Sequence, residues 1–233
     1  MLKKTPATKR RREPLSRDKI LRGAIEIADR EGIDGLSMRR LGEALNVEAM
    51  SLYKHVSSKD DILGGMVDMV IREIALPAIG GDWRAEMRKR AISAHTVLLR
   101  HPWTTMLVVS RISIGPGMLR YLDATIGCLR EAGFSFPLTD YAWNAIDSYV
   151  YGFTFLKLNY PIREEEYASA AQAFLHMIPV ETYPYMNEAA REVAERRHNG
   201  ILDLEFGLDL LLDGLERLLA ATPAPTKRRR KTD

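Results

Sequence analysis

Between Ser37 and Lys59 the sequence SMRRLGEALNVEAMSLYKHVSSK repeats apolar residues at helical spacing on either side of one abrupt break. Two short helices meeting at a tight corner satisfy that pattern. Met38, Leu41 and Leu45 give the first helix a single apolar stripe, and Ser37 stands before it as an N-cap. Asn46 stops it, because asparagine tolerates the left-handed backbone that closes a helix, and Val47 can fold back on the stripe. A second helix is expected from about Ala49 to His55 with Leu52 and Val56 inward, which leaves Ala49, Met50, Ser51, Tyr53, Lys54 and His55 facing away from the core. Ser58 and Asp61 have capping-box spacing and start a third helix, with Lys59 in its first turn. A short exposed helix carrying hydroxyl, phenol, ammonium and imidazole groups suits the major groove of double-stranded DNA. The same periodicity fits a plain helical hairpin.

Charge is partitioned along the 233 residues. Residues 1–75 hold 15 Lys or Arg against 12 Asp or Glu, residues 76–222 hold 14 against 18, and residues 223–233 hold 5 against 1. Basic character therefore lies in the helix-turn-helix segment and the two tails, as a phosphate-binding protein with an acidic body requires. Residues 1–15 are basic with almost nothing apolar, so they read as a disordered arm. No apolar run follows that start as a secretory signal needs, and none approaches the roughly 20 residues that span a bilayer. A cytoplasmic protein with no membrane partner is expected. The single cysteine, Cys128, reads as a small hydrophobe.

Four units are expected: the arm 1–15, a helix-turn-helix unit 16–76, a helical body 77–222 and a basic tail 223–233. Ser16 caps a helix whose buried face is Ile20, Leu21, Ala24, Ile25 and Ala28, and Gly32 ends it. The helix opening at Ser58 runs to about Ala75; Gly64 and Gly65 inside it either let another helix approach closely or mark a bend. Beyond Pro77 and Gly80 come helices at about 83–100, 103–114, 118–132, 137–160, 167–177, 187–197 and 202–219. Those at 137–160 and 202–219 are apolar on more than one face and need cover on both sides. The fold class is all-α.

The run Val47 to Val56, followed by Ser58 and Lys59, resembles the recognition-helix signature of the tetracycline-repressor (TetR) family of transcriptional regulators. The resemblance extends back through Ile20, Leu21, Ala24, Ile25, Ala28, Gly32 and Leu36–Arg39, and reaches Phe206-Gly207-Leu208 near the end. Gly42 and Asn46 depart from the more usual Ala and Gly, and Glu48 stands where Ser or Thr is common, a poor N-cap. What the resemblance implies is a homodimeric regulator, a repressor, that binds a near-palindromic operator and responds to a small-molecule effector. Arg39 then matches the family's guanine-contacting position; Tyr53, Lys54, His55 and Lys59 are assigned to phosphates, and Ala49, Met50 and Ser51 to base edges.

In the body, Trp103, Met106, Val109, Ile112, Leu122, Thr125, Trp143, Asp147 and Tyr151 fall on helices that in the family surround the effector. Walls of that kind suit an apolar, aromatic or polycyclic compound held by Asp147 or Thr125. The histidine and carboxylate that hold a magnesium chelate in tetracycline-binding members align with Val109 and Leu156, so no metal or cofactor is expected. Nor do the residues supply a catalytic constellation: Gly115-Pro116-Gly117 is not a nucleotide fingerprint, G-x-S-x-G is missing, and the five histidines are scattered. The competing reading is a helical small-molecule-binding protein or enzyme without sequence-specific DNA binding.

Overall fold

The computed structural model describes residues 14–110, 114–198 and 203–221. Residues 1–13 of the expected arm, the tail 223–233, Ile112 and Leu202 lie outside them. All regular elements among the described residues are helical: α1 (Arg17–Glu31), α2 (Met38–Leu45), α3 (Ala49–Leu52), α4 (Lys59–Ile71), α5 (Trp83–Arg100), α6 (Pro102–Ser110), α7 (Pro116–Glu131), α8 (Phe136–Asn159), α9 (Tyr167–Phe174), α10 (Pro184–Ala194) and α11 (Leu204–Ala221).

Local chemistry sets the first half. The hydroxyls of Ser16, Ser37 and Ser58 cap α1, α2 and α4 by accepting the backbone N–H of Lys19 (3.3 Å), Arg40 (3.2 Å) and Asp61 (3.0 Å). Positive φ at Gly32 (78°) and Asn46 (55°) closes α1 and α2. Ile20, Ala24, Leu41, Leu52, Val56, Met66 and Val67 are then buried in one core shared by α1 to α4. At Gly42 a Cβ would stand 2.9 Å from the Val47 carbonyl oxygen, so the departure from Ala permits the close fold-back of the corner. A Cβ at Gly65 would lie 2.8 Å from the Leu21 side chain, which settles its role as close approach of α1 rather than a bend.

Two helices of the first half are shorter than their periodicity, and in the body α9 ends at Phe174 rather than Met177, where a tighter 3-10 turn takes over. Helix α3 ends at Leu52 instead of His55, and tighter turns follow, with His55 N–H and Val56 N–H both donating to the Leu52 carbonyl (2.9 and 3.1 Å). Glu48 makes no side-chain cap there, and Asp61 draws the exit back by accepting Ser57 N–H at 2.8 Å. Helix α4 stops at Ile71 rather than Ala75 because the Ser93 hydroxyl on α5 captures the Ala75 N–H at 2.9 Å. Conversely α7 and α10 begin earlier than expected, at Pro116 and Pro184, where a first-turn proline loses no hydrogen bond.

The body packs α5 between α8 and α11, lays α7 on α8, and sets α5, α6 and α7 against the far side of α4. Helices α9 and α10 pack mainly on each other. Among the described residues full cover is not achieved: Tyr141, Phe155 and Leu156 on α8, and Phe206, Leu210 and Leu218 on α11, stay exposed.

Asp61 ties α4 to α1. Both guanidinium nitrogens of Arg17 donate to it, at 2.9 and 2.5 Å. These bonds, with the one from Ser57 N–H, hold its carboxyl near pKa about 2. A depressed pKa contributes stability that is present above the unfolded value and lost as pH falls through the folded one. Asp61→Asn should therefore unfold at lower urea than the parent at pH 7, and the gap should close as pH approaches 2. Urea titrations across that range check this.

Candidate functional site

The polar face of the corner projects from the end of the molecule remote from α8 and α11. Arg39 on α2 is 83% exposed and only 3.7 Å from Glu43, an ion pair water readily loosens. Arg40 instead turns back to pair with Glu31 on α1. Met50 (73% exposed), Tyr53, Lys54, His55 and Lys59 are also exposed, while Ala49 and Ser51 are half-buried. All eight singled-out residues thus sit on the corner and the turn into α4, around the buried anchors Leu52 and Val56.

A second feature is a cavity of about 520 Å³ between α6, α7 and α8. Val109, Leu122, Trp143, Asp147 and Tyr151 line it, with Val108, Ile114, Met118, Leu119, Tyr121, Asn144 and Ser148 beside them. Three singled-out residues lie elsewhere. Met106 is exposed to solvent, and Thr125 is buried with its hydroxyl donating to the Tyr121 carbonyl at 2.8 Å. Trp103 is buried at the joint with α1, its indole N–H donating to Asp29 at 2.7 Å beside His101 Nδ1 at 2.8 Å. Of the two tetracycline-chelate positions, Val109 lines the cavity and Leu156 points to the exposed face of α8. A larger groove of about 810 Å³ borders α1 and α4, but its carboxylates Asp61 and Asp68 are already paired with Arg17 and Arg72.

Behind the cavity lies a group the periodicity conceals. Arg90 on α5 is 1% exposed; it donates to Tyr121 Oη (2.5 Å) and Asp147 Oδ1 (2.6 Å), and Trp143 Nε1 donates to Asp147 Oδ2 (2.6 Å). Burial opposes the guanidinium charge, yet Tyr121 and Asp147 hold its pKa above the ordinary value. Burial pushes the Tyr121 and Tyr151 hydroxyls up, so both stay neutral. The available signal was position: Arg90 shares a stripe with Met87, Ala91 and Ala94, all buried.

The helix that supplies part of the cavity wall also packs on α4. Asp68 on α4 is 5% exposed and accepts the Met118 N–H at 2.9 Å, capping the start of α7 from outside. A Cβ on Gly117 would lie 2.6 Å from the Asp68 carbonyl oxygen. Met118, Leu119 and Leu122, on the same helix, line the cavity. No helix among the described residues is long and apolar enough to cross a membrane.

An exposed helix-turn-helix corner, joined through buried contacts to a cavity-bearing helical body, defines a ligand-responsive DNA-binding regulator. Comparison with known proteins places it further. Residues 20–66 match the model of the bacterial regulatory proteins of the tetR family, and residues 76–219 match the tetracyclin repressor-like C-terminal domain. The chain belongs to the TetR family. It is 38% identical to an HTH-type transcriptional regulator of Saccharopolyspora erythraea over 63% of each chain. To the HTH-type transcriptional repressor DrrR1 of Streptomyces coeruleorubidus it is 32% identical over 88% of this chain and 79% of that one. Among solved structures, ActR of Streptomyces coelicolor in complex with (S)-DNPA superposes at a TM-score of 0.73 with 27% identity, covering 90% of this chain and all of that one. These relatives are transcriptional regulators, and so is this chain; it is not an enzyme.

The buried pair has a measurable consequence. Arg90→Met leaves Asp147 desolvated without its cation and should cost about 3–5 kcal/mol, whereas adding Asp147→Leu should restore much of the loss. Urea denaturation of the single and double variants checks the order.

Proposed function

We propose that the protein is a homodimeric repressor that holds a near-palindromic operator and releases it when an apolar, aromatic ligand fills the α6–α7–α8 cavity. Residues 16–76 form the DNA-reading unit and residues 77–222 the regulatory and dimerising one; the protein acts in the cytoplasm. The observation that carries this reading is helix α7, which lines the cavity with Met118, Leu119 and Leu122 and is capped by Asp68 of α4. A ligand that prefers a shifted α7 must move α4 or expose that carboxylate, and α4 belongs to the core that carries the corner. Ligand and operator are then coupled reciprocally. DrrR1 is named a repressor, and ActR has been crystallised with (S)-DNPA and with actinorhodin, which supports both halves of the reading. A magnesium–tetracycline chelate is not proposed, since Val109 and Leu156 offer no ligands for it.

Arg39 reads a guanine, Ala49, Met50 and Ser51 meet base edges, and Tyr53, Lys54, His55 and Lys59 meet phosphates. Ala49 and Met50 favour thymine methyls over hydrogen-bonding edges. Arg39→Ala should cost about 1–3 kcal/mol and relax one base position, while Lys59→Ala should weaken all sequences alike. Binding-site selection with both variants separates the roles; loss of the same preference in both would refute them.

The exposed apolar residues of α8 and α11 form a face that a monomer leaves wet, and two copies bury it against each other. Light scattering at micromolar concentration without DNA should give twice the 26.4 kDa chain mass.

Apolar aromatic compounds should raise the thermal midpoint of the parent more than that of Trp143→Ala, and operator DNA should shrink the shift. Equal shifts in parent and variant would remove the cavity from the proposal; equal shifts with and without operator would remove the coupling.

A further inference from the structure

The polar end of the cavity is asymmetric in a way that selects the ligand. Arg90 is 1% exposed while its partner Asp147 is 14% exposed, so the carboxylate is the member of the pair that fronts the cavity. Each of its oxygens accepts one bond, from Arg90 and from Trp143. An ionised carboxylate offers about four acceptor positions, which leaves about two for an incoming group. An entering anion meets Asp147 before it can reach the guanidinium. A cation is not demanded either, because the pair already balances its own charge. Tyr121 and Tyr151 stand near Asp147, and Ile114, Met118 and Leu122 supply apolar wall.

We infer that the effector is an uncharged fused-ring aromatic bearing a phenolic hydroxyl, which donates to Asp147 while its rings lie against the α6–α7 wall. This rests on the cavity being the effector site. The hydroxyl supplies the donor that the carboxylate lacks on its open side, and a charged acceptor makes that bond stronger than one between neutral groups. An ether of the same skeleton fills the same volume but leaves Asp147 short of a partner it would otherwise find in water. A carboxylate places two like charges together.

The test uses three matched probes at pH 7 with the unmodified full-length protein: 9-phenanthrol, 9-methoxyphenanthrene and phenanthrene-9-carboxylate, each measured by equilibrium dialysis. The phenol should bind at least about tenfold more tightly than the ether, as a hydrogen bond to a charged acceptor provides, and the carboxylate should bind most weakly. In Asp147→Asn the uncompensated Arg90 should invert that order, so that the carboxylate overtakes the phenol. The ranking on unmodified protein decides the matter whether or not the variant folds. An ether that matches the phenol, or a carboxylate that exceeds it, overturns the ligand class and leaves the cavity assignment standing. If none of the three binds while other apolar compounds give Trp143-dependent thermal shifts, the ligand class is wrong. If nothing binds at all, the cavity assignment falls with it.

Discussion

Helix α4 joins the helix-turn-helix unit to the body in one continuous core, and the buried carboxylate of Asp68 ties its far side to α7. A desolvated charge is costly unless it is paired, and Asp68 is paired twice, with Arg72 at 2.7 Å and with the Met118 N–H at the positive end of α7. Sliding α7 along α4 would strip one of these partners. The Asp29 carboxylate on α1, itself more exposed, makes a second junction by holding the buried His101 and Trp103. Through these two acids α6 and α7 are tied to α1 and α4, the helices on which the helix-turn-helix corner packs.

How much of this the sequence reveals depends on the range of the interaction. Serine caps, the positive φ of Gly32 and Asn46 and the apolar stripes act within a few residues, and they place every helix of the first half. The ends of α3 and α4 were beyond such reasoning because Asp61 and Ser93 set them from other turns. Trp103 illustrates the same limit in the body. An aromatic in an apolar run reads equally as pocket wall or as joint, and only the approach of Asp29, distant in sequence, decides for the joint. Arg90 was masked differently, since a cation on an amphipathic helix reads as surface until its stripe is checked.

The cavity and the apolar outer faces answer to different requirements. Cavity walls keep a polar end because Arg90, Tyr121, Asp147 and Trp143 pair with one another, although Arg90 Nε is buried without a partner. Outer residues such as Phe155 and Phe206 have no such arrangement and remain exposed. Arg84 and Arg88 on α5 hold α11 by ion pairs with Asp213 and Asp209 at 2.5 and 3.0 Å, which orient that helix more than they stabilise it.

Helix α3 is a single turn held by Leu52 and Val56, with Ala49, Met50 and Ser51 contributing little to any core. Its orientation is inherited from α2 and α4 rather than generated by its own length. Substitutions at those three positions can therefore accumulate with small effects on folding, while changes at Gly42 or Leu52 cannot. On the proposed assignment of those three side chains to base edges, a lineage carrying this scaffold has a route to new target sequences through neutral drift, with the stability of the remainder insulated from the search.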